Sequence, residues 1–253
     1  MRRTLIVAAL ASMAGVGTIA GFSVIAQSAD HQDAPATKAN PTADINDVFS
    51  WMDGNNVVLA MTTNPAATSS TLFDPSIQYV FHTGNAIAFT GAIPSSGGVD
   101  VIVTFSGTAA PQTAQVWVGT DYVTGPTGGT TGTTSADSKI KVWAGPVADP
   151  FFFNLDGFHT AVATVVNDEP ALLGANAFNE AGCPTIGGST SDLLVGQLGT
   201  TNGGTAVNHF ATLDGMGIVV SVDKTLLALG GNAFVSVWGA TYTTTTSADA
   251  GGQ

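Results

Sequence analysis

Between Ile77 and Ser106 the chain carries one pattern twice. Ile77, Tyr79 and Phe81 alternate with Gln78, Val80 and His82, and later Val99, Val101, Val103 and Phe105 alternate with Asp100, Ile102 and Thr104. A repeat of two sends alternate side chains to opposite faces of an extended strand. Each segment therefore predicts a strand with its bulky set turned toward a core. Val57–Thr63, which follows the turn Asp53-Gly54-Asn55-Asn56, predicts another, as do Ala114–Thr120, Lys139–Ala144, Ile218–Val222 and Ala233–Trp238. Valine and threonine fill these runs, and their branched Cβ suits a pleated surface. Helical periodicity is scarce: Asn154–Val166 has room for a helix, and Asp223 is placed to cap a short one beginning at Lys224. The expectation is an all-β fold, a two-layer sandwich or partly open barrel with one or two short helices.

Three pairs, Val116-Trp117, Val142-Trp143 and Val237-Trp238, fall inside predicted strands. Their spacing is irregular, so they are read as wide apolar residues packing one sheet on the other rather than as a repeat. Thr124–Ala136 is of low complexity and is expected to be a flexible loop. Gly187–Gly204 is a second stretch rich in Gly, Ser and Thr, interrupted by Leu193-Leu194-Val195.

Met1-Arg2-Arg3 followed by the uncharged, small-residue run Leu5–Ala26 has the form of an export signal, with Ala26-Gln27-Ser28-Ala29 as its exit. The run is also long enough to span a bilayer, but its glycines, alanines and small-residue exit favour cleavage. The expected organisation is a signal peptide at 1–29, one β-rich domain at 30–242 and a disordered polar tail at 243–253, in a secreted or periplasmic protein with no integral membrane span after cleavage. The only arginines are Arg2 and Arg3, so the mature chain keeps four lysines against eighteen acids. That balance argues against nucleic acid and anionic membranes as partners, and leaves a metal cation or an extracellular ligand. Cys183 is the single cysteine and excludes an internal disulfide.

Charged residues make up only 9% of the chain, yet Asp30, His31, Asp33, Asp44 and Asp47 fall close together. With Asp149 they form the candidate metal set, because calcium takes hard oxygen ligands, carboxylates above all. Copper is the second candidate. If cleavage follows Ser28, the amine of Ala29, two backbone amides and the His31 imidazole give the square-planar nitrogen set that Cu(II) favours; cleavage after Ala29 destroys it. The competing reading is structural: Asp and Asn beside Ala34-Pro35 and Asn40-Pro41 cap turns through their own backbone.

Catalytic motifs are missing. His31, His82, His159 and His209 occur outside any HExxH or His-x-His spacing, and Gly187-Gly188-Ser189-Thr190-Ser191 lacks the second glycine of a nucleophile elbow. The aromatic run Phe151-Phe152-Phe153 admits a sugar- or lipid-facing platform, but burial in the core is the reading preferred here.

Asp30-His31-x-x-Ala34-Pro35, Pro41-x-Ala43-Asp44-x-x-Asp47-Val48-Phe49, the run Asp149–Phe158 and the run Gly217–Leu227 with Val237-Trp238 together cover most of the mature chain. In these motifs the chain resembles a secreted bacterial family catalogued as domain of unknown function 4331. The resemblance implies a secreted, β-rich domain of unassigned activity. The functional expectation is an exported, non-catalytic binding or structural domain. Its alternatives are a calcium or copper metalloprotein and a hydrolase using the acidic N-terminal segment.

Overall fold

The structure, a computed structural model, describes residues 34–86, 98–173, 186–227 and 234–243. The expected leader at 1–29, Cys183 and residues 244–253 lie outside the described residues. A short helix α1 (Pro35–Ala39) and a 3₁₀ turn at Pro41–Ala43 lead into strands β1 (Ile45–Asp53), β2 (Asn56–Ala67), β3 (Ile77–Ala86), β4 (Val101–Ser106), β5 (Thr113–Val118), β6 (Asp121–Pro126), β7 (Thr133–Thr134) and β8 (Ile140–Ala148). Helices α2 (Leu155–Leu173) and α3 (Gly188–Leu198) and the small strands β9 (Thr200–Thr201) and β10 (Gly204–Thr205) come next. Strand β11 (Asp214–Asp223), one turn of helix α4 (Lys224–Leu227) and strand β12 (Phe234–Thr243) complete the described chain.

Two compact units result. Of the described residues, the larger holds 34–150 and those from Thr212 onward, and the smaller holds those between Phe151 and Ala211. The larger unit is the expected two-layer sandwich. Its first sheet has the order β1-β2-β11-β8-β7 and its second the order β12-β3-β4-β5-β6, with antiparallel neighbours throughout. One core lies between them. Leu59, Met61, Ile218 and Val220 from the first sheet and Tyr79, Phe81, Val101, Val103 and Val116 from the second are buried in it. Phe73 stacks on Phe105 at 3.8 Å between ring centroids, and Tyr79 meets both rings edge-on.

Buried Gln112 joins this aromatic group to the chain around it. Its side-chain oxygen accepts from the Phe73 N–H at 2.8 Å, and its Nε2 donates to the Phe73 carbonyl at 2.8 Å and to the Gly107 carbonyl at 3.1 Å. A segment that is in no strand thus has its buried backbone groups satisfied by a side chain.

The structure corrects two expectations. The Val-Trp pairs do not pack tryptophan between the sheets. Val116 and Val142 point inward and are buried, while Trp117, Trp143 and Trp238 alternate to the outside. A one-residue step along a strand reverses the face, and the valines took the inner one. The stretch 124–136 is less loop than its composition implies. Strand β6 runs to Pro126, β7 pairs with β8, and the Trp143 indole donates to the Gly129 carbonyl at 2.9 Å. The stretch 187–204 holds the helix α3 and a two-stranded hairpin.

In the smaller unit the expected helix at 154–166 is the first part of α2, and Asn154 caps it from outside. Its Oδ1 accepts from the Gly157 N–H at 3.2 Å and from Thr201 Oγ1 at 2.8 Å, while its Nδ2 donates to the carbonyls of Leu198 and Thr200. Of the aromatic run, Phe153 is partly buried and packs against Phe158 and Phe210, whereas Phe151 and Phe152 are exposed, so the run does not bury in the core as expected. No helix among the described residues is long and apolar enough to cross a membrane.

Candidate functional site

The residues singled out for metal binding do not assemble. Asp30, His31 and Asp33 lie outside the described residues. Asp44 is buried at the start of β1, its N–H bonded to the Pro41 carbonyl and its own carbonyl accepting from the Asn64 N–H. Asp47 stands opposite Thr62 in the β1–β2 ladder and accepts from that hydroxyl at 3.3 Å. Asp149 follows β8, with its N–H on the Leu213 carbonyl at 2.9 Å. Among the described residues no three His, Cys, Asp or Glu side chains converge to hold a metal, so Asp44, Asp47 and Asp149 make no centre by themselves. The turn-capping alternative is visible nearby. Asn40 accepts from the Thr42 N–H and hydroxyl and donates to Asp74, which in turn accepts from the Ser76 N–H and hydroxyl.

The side chains with a site-like arrangement are on the outer face of the second sheet. His82 belongs to the outward set of β3, since Tyr79 and Phe81 take the inner face. In the β3–β12 ladder it stands directly opposite Trp238. The two rings stack at 5.4 Å between centroids, 24° from parallel. His82 Nδ1 lies 2.9 Å from Asp100 Oδ1, and Nε2 lies 2.9 Å from the Tyr242 hydroxyl. A carboxylate beside Nδ1 selects the tautomer with the proton there, because the alternative sets a lone pair against a negative oxygen. Nε2 is then an acceptor, and the Tyr242 hydroxyl donates to it. Asp100, His82 and Tyr242 form a continuous carboxylate–imidazole–phenol chain.

Local structure fixes Asp100 in this chain. The β3–β4 ladder pairs Phe81 with Val101, and beyond that point Thr83 takes over the pairing with its side chain. Its hydroxyl donates to the Val99 carbonyl at 2.8 Å and accepts from the Val99 N–H at 2.9 Å. Gly98 approaches so closely that a Cβ there would overlap the Thr83 carbonyl. Asp100 therefore leaves this clamp beside His82.

Farther across the same face, one row runs through all five strands: Ala240, Val80, Ile102, Trp117 and Tyr122 are successive ladder partners. Trp117 and Tyr122 lie 5.1 Å apart, tilted by 43°. Beside them runs the polar row Thr104, Gln115 and Thr124, in which the Thr104 hydroxyl donates to Gln115 Oε1 at 3.2 Å. Tyr122, Trp238 and Tyr242 are 44%, 38% and 45% exposed, while Val80 between the two aromatic groups is buried. The face thus presents two exposed aromatic groups with a filled centre and polar side chains around them.

Sequence reading saw His82 and Asp100 only as the outward members of alternating runs. The signal that was available is that both carry chemistry on the solvent face of adjacent strands, where a structural residue has no need of it. Tyr242 had no such signal, because its hydrogen-bond partner His82 is 160 positions away in the chain. Comparison of the chain with protein-family models, with curated proteins and with solved structures found no match.

Proposed function

We propose that this chain is an exported, non-catalytic binding domain, and that its ligand surface is the outer face of the second sheet. The observation that carries this reading is the Trp238–His82–Tyr242 cluster, exposed yet held in one arrangement by Asp100. Exposed aromatic side chains are normally mobile, and ordering them on binding costs free energy. Here stacking and two hydrogen bonds have ordered them beforehand, which favours binding. The low charge of the face and the scarcity of cations agree with an uncharged ligand rather than a polyanion.

A second reading rests on the same three residues. A hydroxyl that donates to a carboxylate-oriented imidazole is poised for general-base chemistry, as in the serine hydrolases. One experiment separates the two. The purified chain is assayed with panels of ester, glycoside and phosphate substrates, alongside His82→Ala and Tyr242→Phe. Binding predicts no turnover above the variants. Turnover lost in both variants overturns the binding reading.

A further inference from the structure

We infer that the ligand of this face is a neutral polysaccharide, laid across the strands with sugar rings stacked on Trp238 at one end and on Trp117–Tyr122 at the other. The inference rests on the reading of this face as the binding surface and names its ligand class. Three observations lead to it.

The first is spacing. Trp238 is on β12 and Trp117 on β5, three strand positions away in the sheet order. At about 4.8 Å per strand, with Trp238 two residues off the ladder row of Trp117, the two groups are roughly 16 Å apart. That is too far for one small ring and suits an extended chain several rings long. A pyranose offers a face of C–H groups to an aromatic ring while its equatorial hydroxyls point sideways, so stacking and hydrogen bonding do not compete.

The second is the polar complement. Asp100 keeps acceptor capacity beyond its bond to His82 and is half exposed, which fits a carboxylate accepting from neighbouring sugar hydroxyls. Gln115, Thr104 and Thr124 add amide and hydroxyl groups beside the second aromatic pair. An aromatic face meant for an apolar partner would have no use for this row.

The third is charge. The four lysines are elsewhere. Lys38 is on α1, Lys139 precedes β8 and Lys141 is on it in the first sheet, and Lys224 opens α4. Among the described residues, then, no cation lies on this face to pair with a sulfated or carboxylated polymer. Asp100 would repel one.

Native affinity electrophoresis of the full chain in gels containing neutral polysaccharides (β-glucan, xylan, galactomannan) and pull-down on cellulose and chitin test the proposal, with alginate and heparin as polyanion controls. The expected result is retention by at least one neutral polymer and by neither polyanion. Trp238→Ala and Trp117→Ala should each weaken that retention at least about fivefold, the scale of one lost ring stack. Trp238→Phe keeps a ring and should retain most of the affinity. Trp51→Ala, on an exposed position of the first sheet, should change nothing. Circular dichroism and thermal unfolding of each variant confirm folding. Absence of retention by every neutral polymer, or retention indifferent to both tryptophans, overturns the proposal. If a protein or a phosphatidylcholine vesicle is bound instead, and Trp238→Ala abolishes that binding, the ligand class is wrong while the binding face stands.

Discussion

Asp74 shows how a residue that looks like a candidate ligand is used by the fold. Burial pushes its carboxyl pKa up, but donation from the Ser76 hydroxyl, the Ser76 N–H and the Asn40 amide outweighs this and holds it below the ordinary carboxylate value. A carboxylate held low in the folded state contributes stability that is complete above its unfolded pKa. That contribution is lost as the pH falls through the folded value. Asp74→Asn should therefore cost about 1 kcal/mol at neutral pH, after allowance for solvent screening. Urea titrations at a series of pH values should show the gap between wild type and variant closing in acid; a gap that widens in acid contradicts the assignment. Tyr79 is the opposite case: burial pushes its phenol far up, so it stays neutral and serves the core. Residue types were legible in the sequence, but the difference between a ligand and a cap was not. Asn40 and Asp74 meet across 34 positions, and composition carries no information about that pairing.

At the scale of elements, the alternating runs were read correctly wherever one face is apolar throughout. The segments 77–83 and 218–222 lie within observed strands, and of the segment 99–106 the strand takes 101–106. Strand β1 escaped because Asp47 and Asn46 interrupt its pattern and the ladder shifts register between Ile45 and Asp47; a bulge breaks the period on which the reading depends. Helix α3 escaped for a different reason. Its first turn, Gly188-Ser189-Thr190-Ser191, consists of residues that favour turns, and Gly187 caps it without a side chain. The tryptophans of the Val-Trp pairs were assigned to the wrong side because apolar size was taken as a sign of burial. Trp117 shares its phase with Gln115, Trp143 with Lys141 and Trp238 with Ser236, so alternation places each of them on the more polar side. The β3–β4 junction yields a prediction at this scale. In Gly98→Ala the added methyl overlaps the Thr83 carbonyl, so the clamp on Val99 must move and take Asp100 with it. The expected cost is about 2 kcal/mol. Nitrogen NMR of the imidazole should show the Nδ1-protonated tautomer of His82 in the wild type and a mixture in the variant. An unchanged tautomer would mean that Asp100 is positioned by something other than this junction.

The whole molecule separates what carries the binding face from what interrupts it. Ala148 pairs with Asp214, and the Asp149 N–H bonds the Leu213 carbonyl at 2.9 Å, so β8 and β11 are adjacent antiparallel strands on either side of residues 151–211. Antiparallel neighbours need only a short turn between them. The smaller unit is thus an insertion into a hairpin, with its own aromatic group of Phe153, Phe158 and Phe210 and its own capping centre at Asn154. Among the described residues, the core cluster of the larger unit includes none of these. Replacing residues 151–211 with a four- or five-residue glycine-rich turn should therefore leave the sandwich folded. The expected outcome is a β-type circular dichroism spectrum, a single cooperative unfolding transition, and tryptophan-dependent retention in the polysaccharide gels equal to that of the full chain. The outer face of the second sheet draws on β12, β3, β4, β5 and β6 alone, so loss of retention in a variant that still unfolds cooperatively would mean that the insertion supplies part of the ligand surface. Loss of cooperative unfolding would mean that it supplies part of the fold.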